Sequence, residues 1–489
     1  MKNRLSYNEK AIIFVGALTV FKLIYTIGLN VIPDEAYYYL WGKNLALSYF
    51  DHPPMIGWFF GFLSLFFKSA EFVVHLQPIL LGAGTSLYAY YLGKEMFNEK
   101  IGFTFLVMSN MTLLLFAGTI IATPDTPMIF FLIAGIFHFH RAYRNGKWLQ
   151  WILAGVFFGC ALLSKYVAVL IFPALLLFLI FTPERTLLKS IKPYIALAIS
   201  FIVFLPVVIW NAQHEWLSFS FQLKHGVGGS FPNWQKLGDF LGGQAGIVGP
   251  LLFVIFIIAM IKIIAEWKYH SKEVKLLFFL ALVFFGFFLI SSMQKKVEAN
   301  WAAFAYIPVM LMVTYLYLRR WQVHVGWRIT WVVNWFLLII VLVIVLVQVY
   351  VPIIPIKYDS TDQFYGWKQL GQDASLIIDD YPDLIPAANR HQIASELIVY
   401  SKHDFVCFDL GNRPHQFTLW RNDEELLGKD FLLFDQSKKL NTSIINSFEN
   451  VEFITSIPRF RGTKLLQVVM IYRAENFLGE ERGPEELKE

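Results

Sequence analysis

The chain has 489 residues, of which 56% are hydrophobic, 17% aromatic and only 16% charged, well below the roughly 25% charged residues of an average soluble domain. That balance excludes a soluble globular chain. Apolar runs near the roughly 20 residues needed to cross a bilayer recur over the first 350 positions, too often for one anchor or a cleaved leader. The net charge of +5 lies mostly in short loops, where it orients spans and does not point to nucleic acid.

In chain order, residues 1–10 (MKNRLSYNEK) are polar and are read as retained. Eleven spans are expected, at 11–31, 71–93, 101–120, 125–141, 148–164, 166–182, 193–211, 247–265, 273–291, 301–318 and 329–351. A cytoplasmic N-terminus puts the basic loops KEMFNEK (94–100), PERTLLKSIK (183–192) and RRWQVHVGWR (319–328) inside, as the positive-inside rule requires. Residues 1–352 are therefore expected to be a transmembrane catalytic domain with outer-face loops. Residues 353–489 change character, with DFVCFDL (404–410), DFLLFD (430–435) and KLLQVVMIYRA (464–474) reading as strands and 363–378 and 391–402 as helices. They are expected to form a periplasmic α/β domain of about 130 residues, large enough for its own core. Cys160 and Cys407 fall in different parts and imply no disulfide.

The unusual polar residues fall in loops assigned to the outer face. PDEAYYYLW (33–41) sets Asp34 and Glu35 at the membrane boundary. Adjacent helical positions point about 100° apart, so only one of the two aims easily at a shared cavity, and we favour Asp34. In SYFDHPPMIGW (48–58), Pro53 and Pro54 fix their own φ and press His52 and Pro53 into extended backbone, a stiff mount for an imidazole whose charge Asp51 would set. ATPDTP (122–127) opens the fourth span, with Thr126 as N-cap, Pro127 in the first turn and Asp125 favoured by the helix dipole. Lys165 in ALLSKYVAV interrupts a long apolar stretch, and QKKVEANW (294–301) places Lys295, Lys296 and Glu298 in an outer loop against the charge rule. Lys22 lies deep in the first span and is read as facing the bundle interior.

Aromatic belts, helix capping, snorkelling and headgroup contact account for these residues singly. Together, the carboxylates Asp34, Asp51, Asp125 and Glu298 and the cations His52, Lys165, Lys295 and Lys296 supply what transfer from an anionic lipid phosphate needs: positive charge for the leaving phosphate and a carboxylate for the acceptor's proton.

PDEAYYYLW…LALSYFDHPPMIGW, ATPDTPMIFF, GCALLSKYVAVLIFP and KKVEANWAAFAYIP, taken in order, resemble the motifs of bacterial C-type (GT-C) glycosyltransferases related to protein O-mannosyltransferases and lipid A aminoarabinose transferase. The tail's HQIASELIVYS and GNRPHQFTLW resemble that family's periplasmic C-terminal domain. The resemblance covers nearly the whole chain. It implies a multi-pass enzyme of the bacterial inner membrane that takes a sugar from a polyprenyl phosphate, with Asp34 as base, Asp125 shaping the site and Lys165 binding the donor phosphate. Where aminoarabinose transferases carry Glu-Lys-Pro, this chain has Asp51-His52-Pro53.

The expected reaction is a single displacement at the anomeric carbon with inversion. Asp34 takes the acceptor's proton, Lys165, His52 and Lys295 stabilise the departing phosphate, and Glu35, Asp51, Lys296 and Glu298 support them. Cations can replace a metal here, so no cofactor is required, although Asp34, Glu35 and Asp125 are hard oxygen ligands suited to a divalent ion. The acceptor is lipid A, another glycolipid, a glycan or a protein. GNRPHQF (411–417) either contacts acceptor or sugar, or is a loop with a structural arginine. The rival reading, a transporter or flippase of an anionic lipid or lipid-linked sugar, calls for charges spread through the bilayer depth, whereas here only Lys22 lies deep.

Overall fold

The computed structural model describes residues 5–226 and 231–479. The chain opens with α1 (Tyr7–Tyr25), α2 (Pro33–Lys43), α3 (Met55–Ser64) and α4 (Ala70–Met96). Next come α5 (Glu99–Met111), α6 (Leu113–Ala117), α7 (Asp125–Asn145), α8 (Trp148–Leu162) and α9 (Ile171–Ile180). They are followed by α10 (Lys192–Gln213), α11 (Leu217–Gly226), α12 (Trp234–Val248), α13 (Pro250–Ala265), α14 (Lys272–Ser292), α15 (Ala303–Arg319) and α16 (Val325–Tyr350).

Contacts divide the chain into two compact units. The first comprises Met1–Tyr25, His52–Met55 and Leu76–Val347, and the second Thr26–Asp51, Ile56–His75 and Gln348–Glu489. The second unit thus draws in two early segments that the sequence grouped with the spans.

In the first unit α7 packs on α8, α8 on α10, and α14 on both α9 and α15. Among the described residues, five helices are long and apolar enough to cross a membrane, or up to seven if each of two bent pairs counts as one span. One pair, Trp234–Val248 with Pro250–Ala265, bends by 109° at Gly249, whose φ of +103° suits glycine, just before Pro250 starts the next helix. Other stretches read as spans are shorter or interrupted: α8 has 15 residues, and α5 gives way to α6 at Thr112. Lys22 is buried, donates to the Thr119 hydroxyl and lies 4.6 Å from the Phe116 ring centroid, so its charge faces inward between helices of the bundle.

The second unit contains α17 (Trp367–Asp380), β1 (Ile385–Ala388), α18 (His391–Ser401), β2 (Val406–Cys407), α19 (Gln416–Trp420) and β3 (Phe431–Asp435). It ends with α20 (Thr442–Asn446), β4 (Phe448–Arg461) and β5 (Lys464–Phe477). The sheet order is β2-β1-β3-β5-β4, parallel among the first three strands and antiparallel beyond. β3, the strand beside β1 and β5, is buried at every position, as the run FLLFD requires. Phe408, Phe431, Phe448 and Phe477 close the core on one face. The segment 404–410 is strand only at Val406–Cys407, and β4 was not expected; it is an edge strand and tolerates Pro458 for that reason. α2 packs against α18 and α17 against both α18 and β4. α2 also meets α3 at two glycines: a Cβ on Gly42 would lie 2.7 Å from the Gly61 nitrogen and from the Phe60 Cβ.

Candidate active site

In the first unit the carboxylate and the cation singled out above lie together. α7 begins at Asp125 with Pro124 in the cap position, so the expectation that Thr126 caps this helix is corrected. Its hydroxyl instead donates to the Gly118 carbonyl at 2.8 Å. Lys165 stands in extended backbone, φ −158° and ψ 135°, where α8 ends and the short 3-10 turn Tyr166–Leu170 begins. The Lys165 Nζ donates to both carboxylate oxygens of Asp125 at 2.8 Å. The Asn300 amide donates to Oδ2 of the same carboxylate at 3.2 Å. The Lys165 and Asp125 side chains are 13% and 9% exposed, and the ammonium lies 6.0 Å from the Trp301 ring centroid. Water is largely excluded, so each charge depends on the other. Such a lysine can exchange its carboxylate for a phosphate oxygen at little extra desolvation cost.

The His52–Met55 segment belongs to the same unit, and the Met55 N–H donates to the Leu163 carbonyl at 3.0 Å, pinning the Pro-Pro stretch two residues before Lys165. His52 is half-buried. Lys295 is also half-buried, and its N–H donates to the Ser291 carbonyl at 3.0 Å. Lys296 and Glu298 are exposed and pair with each other at 2.8 Å. An exposed pair of this kind contributes only about 0–1 kcal/mol.

The second unit holds Asp34, Glu35 and Asp51. Pro33 starts α2, and Glu35 turns back so that its Oε2 accepts from the Ile32 N–H at 3.1 Å. Glu35 is fully buried, whereas its neighbour Asp34 is exposed. Asp51 is buried; its Oδ2 accepts from the Tyr37 hydroxyl at 2.6 Å and its Oδ1 from Arg413 Nη1 at 2.8 Å. The Gln416 N–H donates to the Tyr37 oxygen at 2.7 Å, and the Phe50 N–H to Gln416 Oε1 at 2.8 Å. His391 and His415 lie near Tyr37 with their rings tilted, the ring centroids 4.7 Å (Tyr37–His391) and 5.0 Å (His391–His415) apart.

These surroundings separate the carboxyls electrically. Asp34 reaches water from within crowding protein: desolvation and the nearby Asp51 charge raise its carboxyl above the ordinary value, and Arg413 offsets this only in part. Burial pushes Asp51 the same way, but Arg413, the Tyr37 hydroxyl and His391 outweigh it, and Asp51 is held below the ordinary value. Burial lowers His391 to about 3 and His415 to about 4, leaving both rings neutral at pH 7. An accessible carboxylate with a raised pKa is the better proton acceptor of the set. Nearby, Glu396 on α18 is buried and lacks a hydrogen-bond partner among the described residues. Burial first, and then Glu35, push its carboxyl well above the ordinary value.

Sequence reasoning missed Asn300 and Tyr37 and left Arg413 undecided. Only the position of Asn300 inside KKVEANW and of Arg413 inside GNRPHQF could have flagged them. Among the described residues no group of three or more His, Cys, Asp or Glu side chains is placed to hold a metal ion.

Residues 51–210 match the family model described as dolichyl-phosphate-mannose-protein mannosyltransferase, a range that includes Asp51, His52, Asp125 and Lys165. The crystal structure of ArnT from Cupriavidus metallidurans in the apo state matches with a TM-score of 0.62 at 11% identity, over 96% of this chain and 98% of that one. This is the C-type glycosyltransferase fold. The same enzyme bound to undecaprenyl phosphate gives 0.59 at 12% identity over 94% and 97%. The archaeal oligosaccharyltransferase AglB from Archaeoglobus fulgidus gives 0.52 at 13% identity over 86% and 69%. The GT-C resemblance read from the motifs is therefore borne out. Among curated proteins, the lipid A galacturonosyltransferase RgtD of Rhizobium johnstonii is 26% identical over 302 residues, 59% of this chain. The match spans about three fifths of that relative's length, 61%.

Proposed function

We propose that this protein is a membrane glycosyltransferase that moves a sugar from a polyprenyl-phosphate donor to a lipid A-like glycolipid acceptor at the outer face of the bacterial inner membrane. The observation that carries the reading is the desolvated Lys165–Asp125 pair, a cation kept among apolar helices inside the segment that matches the mannosyltransferase model. RgtD supports the acceptor class and ArnT the lipid carrier. The N-terminus is cytoplasmic and the strand-bearing unit extracytoplasmic in this reading.

The acceptor hydroxyl attacks the anomeric carbon, its proton passes to Asp34, and the bond from that carbon to the phosphate oxygen breaks with its electron pair on the polyprenyl phosphate. The configuration inverts. Lys165, with His52 and Lys295, carries the leaving phosphate's charge, so no acid need protonate it. Asp125 and Asn300 hold Lys165 in place until phosphate arrives. Asp51 and Arg413 tune Asp34.

The test supplies the protein, purified and reconstituted, with an undecaprenyl-phosphate sugar, galacturonate first, and lipid A. Transfer by wild type and its loss in Asp34→Asn and Lys165→Ala are expected. Equal transfer by both variants would refute the roles, and absence of new glycolipid from a panel of donors would refute the activity.

A further inference from the structure

A groove of about 580 Å³ opens in the first unit between α13 and the start of α16, apart from every residue given a part in the reaction. That volume lies within the roughly 300–1,000 Å³ of ordinary ligand sites. The two helices run antiparallel: Leu338 lies 3.1 Å from where a Cβ on Gly249 would stand, and at the far end the Lys262 ammonium is 5.8 Å from the Trp327 ring centroid. The apolar wall from Leu251 through Val254 and Ile258 ends at Lys262. At 1.5 Å per residue this wall is about 16 Å long, half of the roughly 30 Å hydrocarbon core.

The opposing wall carries Gly326, where a Cβ would meet nothing within 4 Å, and Thr330 one turn on, with Trp327 between them. The polar end of the groove is positive. Lys262 makes no ion pair among the described residues and rests against the faces of Trp321 and Trp327, at 5.5 and 5.8 Å. Glu266, one turn beyond, is engaged by Arg320. His324 lines the same end and is exposed. An apolar trough one leaflet long, ending in an ammonium set among tryptophans, complements an amphiphile with a negative head.

We propose that this groove is a binding site for a membrane phospholipid with an anionic headgroup. One acyl chain lies along α13 from Leu251 to Ile258, and the phosphate meets Lys262 and His324. The site is independent of the transfer reaction proposed above.

The experiment incorporates the full chain into nanodiscs of equal phosphatidylglycerol and phosphatidylcholine, releases it in mild detergent and counts retained lipids by native mass spectrometry. Wild type is expected to retain phosphatidylglycerol preferentially. Lys262→Ala should lower that preference about fivefold, the effect of one interfacial cation on an anionic headgroup, and Thr330→Phe should abolish retention by filling the trough. Gly326→Leu is a second filling variant should Thr330→Phe fail to fold. Equal retention of the two lipids by wild type, or undiminished phosphatidylglycerol on a folded filling variant, overturns the site. Displacement of the retained lipid by equimolar undecaprenyl phosphate overturns the choice of occupant.

Discussion

Replacing Lys165 by Met tests the energetics of the candidate site directly. The substitution keeps the length of the side chain but leaves Asp125, whose side chain is 9% exposed, without the ammonium that contacts both its oxygens. Removing one partner of a buried ion pair costs roughly 3–5 kcal/mol, whereas replacing both partners by apolar residues is often neutral. The Asp125→Leu/Lys165→Met double variant should therefore regain most of the stability lost by the single variant. Transfer behaves differently. Loss of a preorganised charge from the leaving group's surroundings costs on the order of 10²–10³ in rate, and the double variant should be as inactive as the single one. Denaturant titration in mixed micelles measures the first quantity and glycolipid formation the second. A Lys165→Met variant as stable as wild type, or a double variant no better than the single, would show that the pair is not desolvated as argued.

Other substitutions probe the second unit. Because desolvation and Asp51 raise the folded pKa of Asp34, this group favours the fold below its unfolded pKa, and that contribution fades as pH climbs through the folded value. Asp34→Asn should thus be the more stable protein at pH 7 while losing transfer; a less stable Asn variant contradicts the shift. With Asp34 as base, the rate falls on acidification, and Arg413→Ala, which removes a charge that lowers this pKa, should move the acid limb of the pH profile upward. A downward move would break the link between Arg413 and Asp34. Tyr37→Phe deprives Asp51 of a donor and the Gln416 N–H of an acceptor, an expected loss of about 1–3 kcal/mol, read by denaturant midpoint. Glu396→Gln exchanges a buried carboxyl that burial and Glu35 push well above the ordinary value, and that has no hydrogen-bond partner among the described residues, for a neutral isostere, so pH 7 stability should be unchanged or higher; a marked loss would mean that Glu396 is ionised.

Charged residues within greasy stretches were the legible part of the site. Lys165 and Asp125 each had an ordinary local explanation, snorkelling and the helix dipole, and stood out only taken together; the fold places them on each other. Glu35 and Asp34 could be ranked only by angle, and the structure supplies the difference: Glu35 turns back to its own helix start, and Asp34 does not. Arg413 was not legible as a partner of Asp51, since 362 positions separate them and one sequence carries no pairing signal over that distance. For the same reason β3 and β5 were foreseen from their apolar runs, while β1, with four residues, and β4, with exposed positions and a proline, were not. Breaks such as Thr112 and Gly249 were not legible, because hydropathy averages over them.

The discontinuous make-up of the second unit also orders events during biosynthesis. Phe50 waits for Gln416, 366 positions later, which at ribosomal speeds is a delay of roughly 20–70 s. Throughout that interval the early segments must be tolerated without their partners while helix after helix is laid into the bilayer. A message truncated anywhere before the last strands therefore yields no partial product with an intact second unit, and quality control has a long window in which to find it.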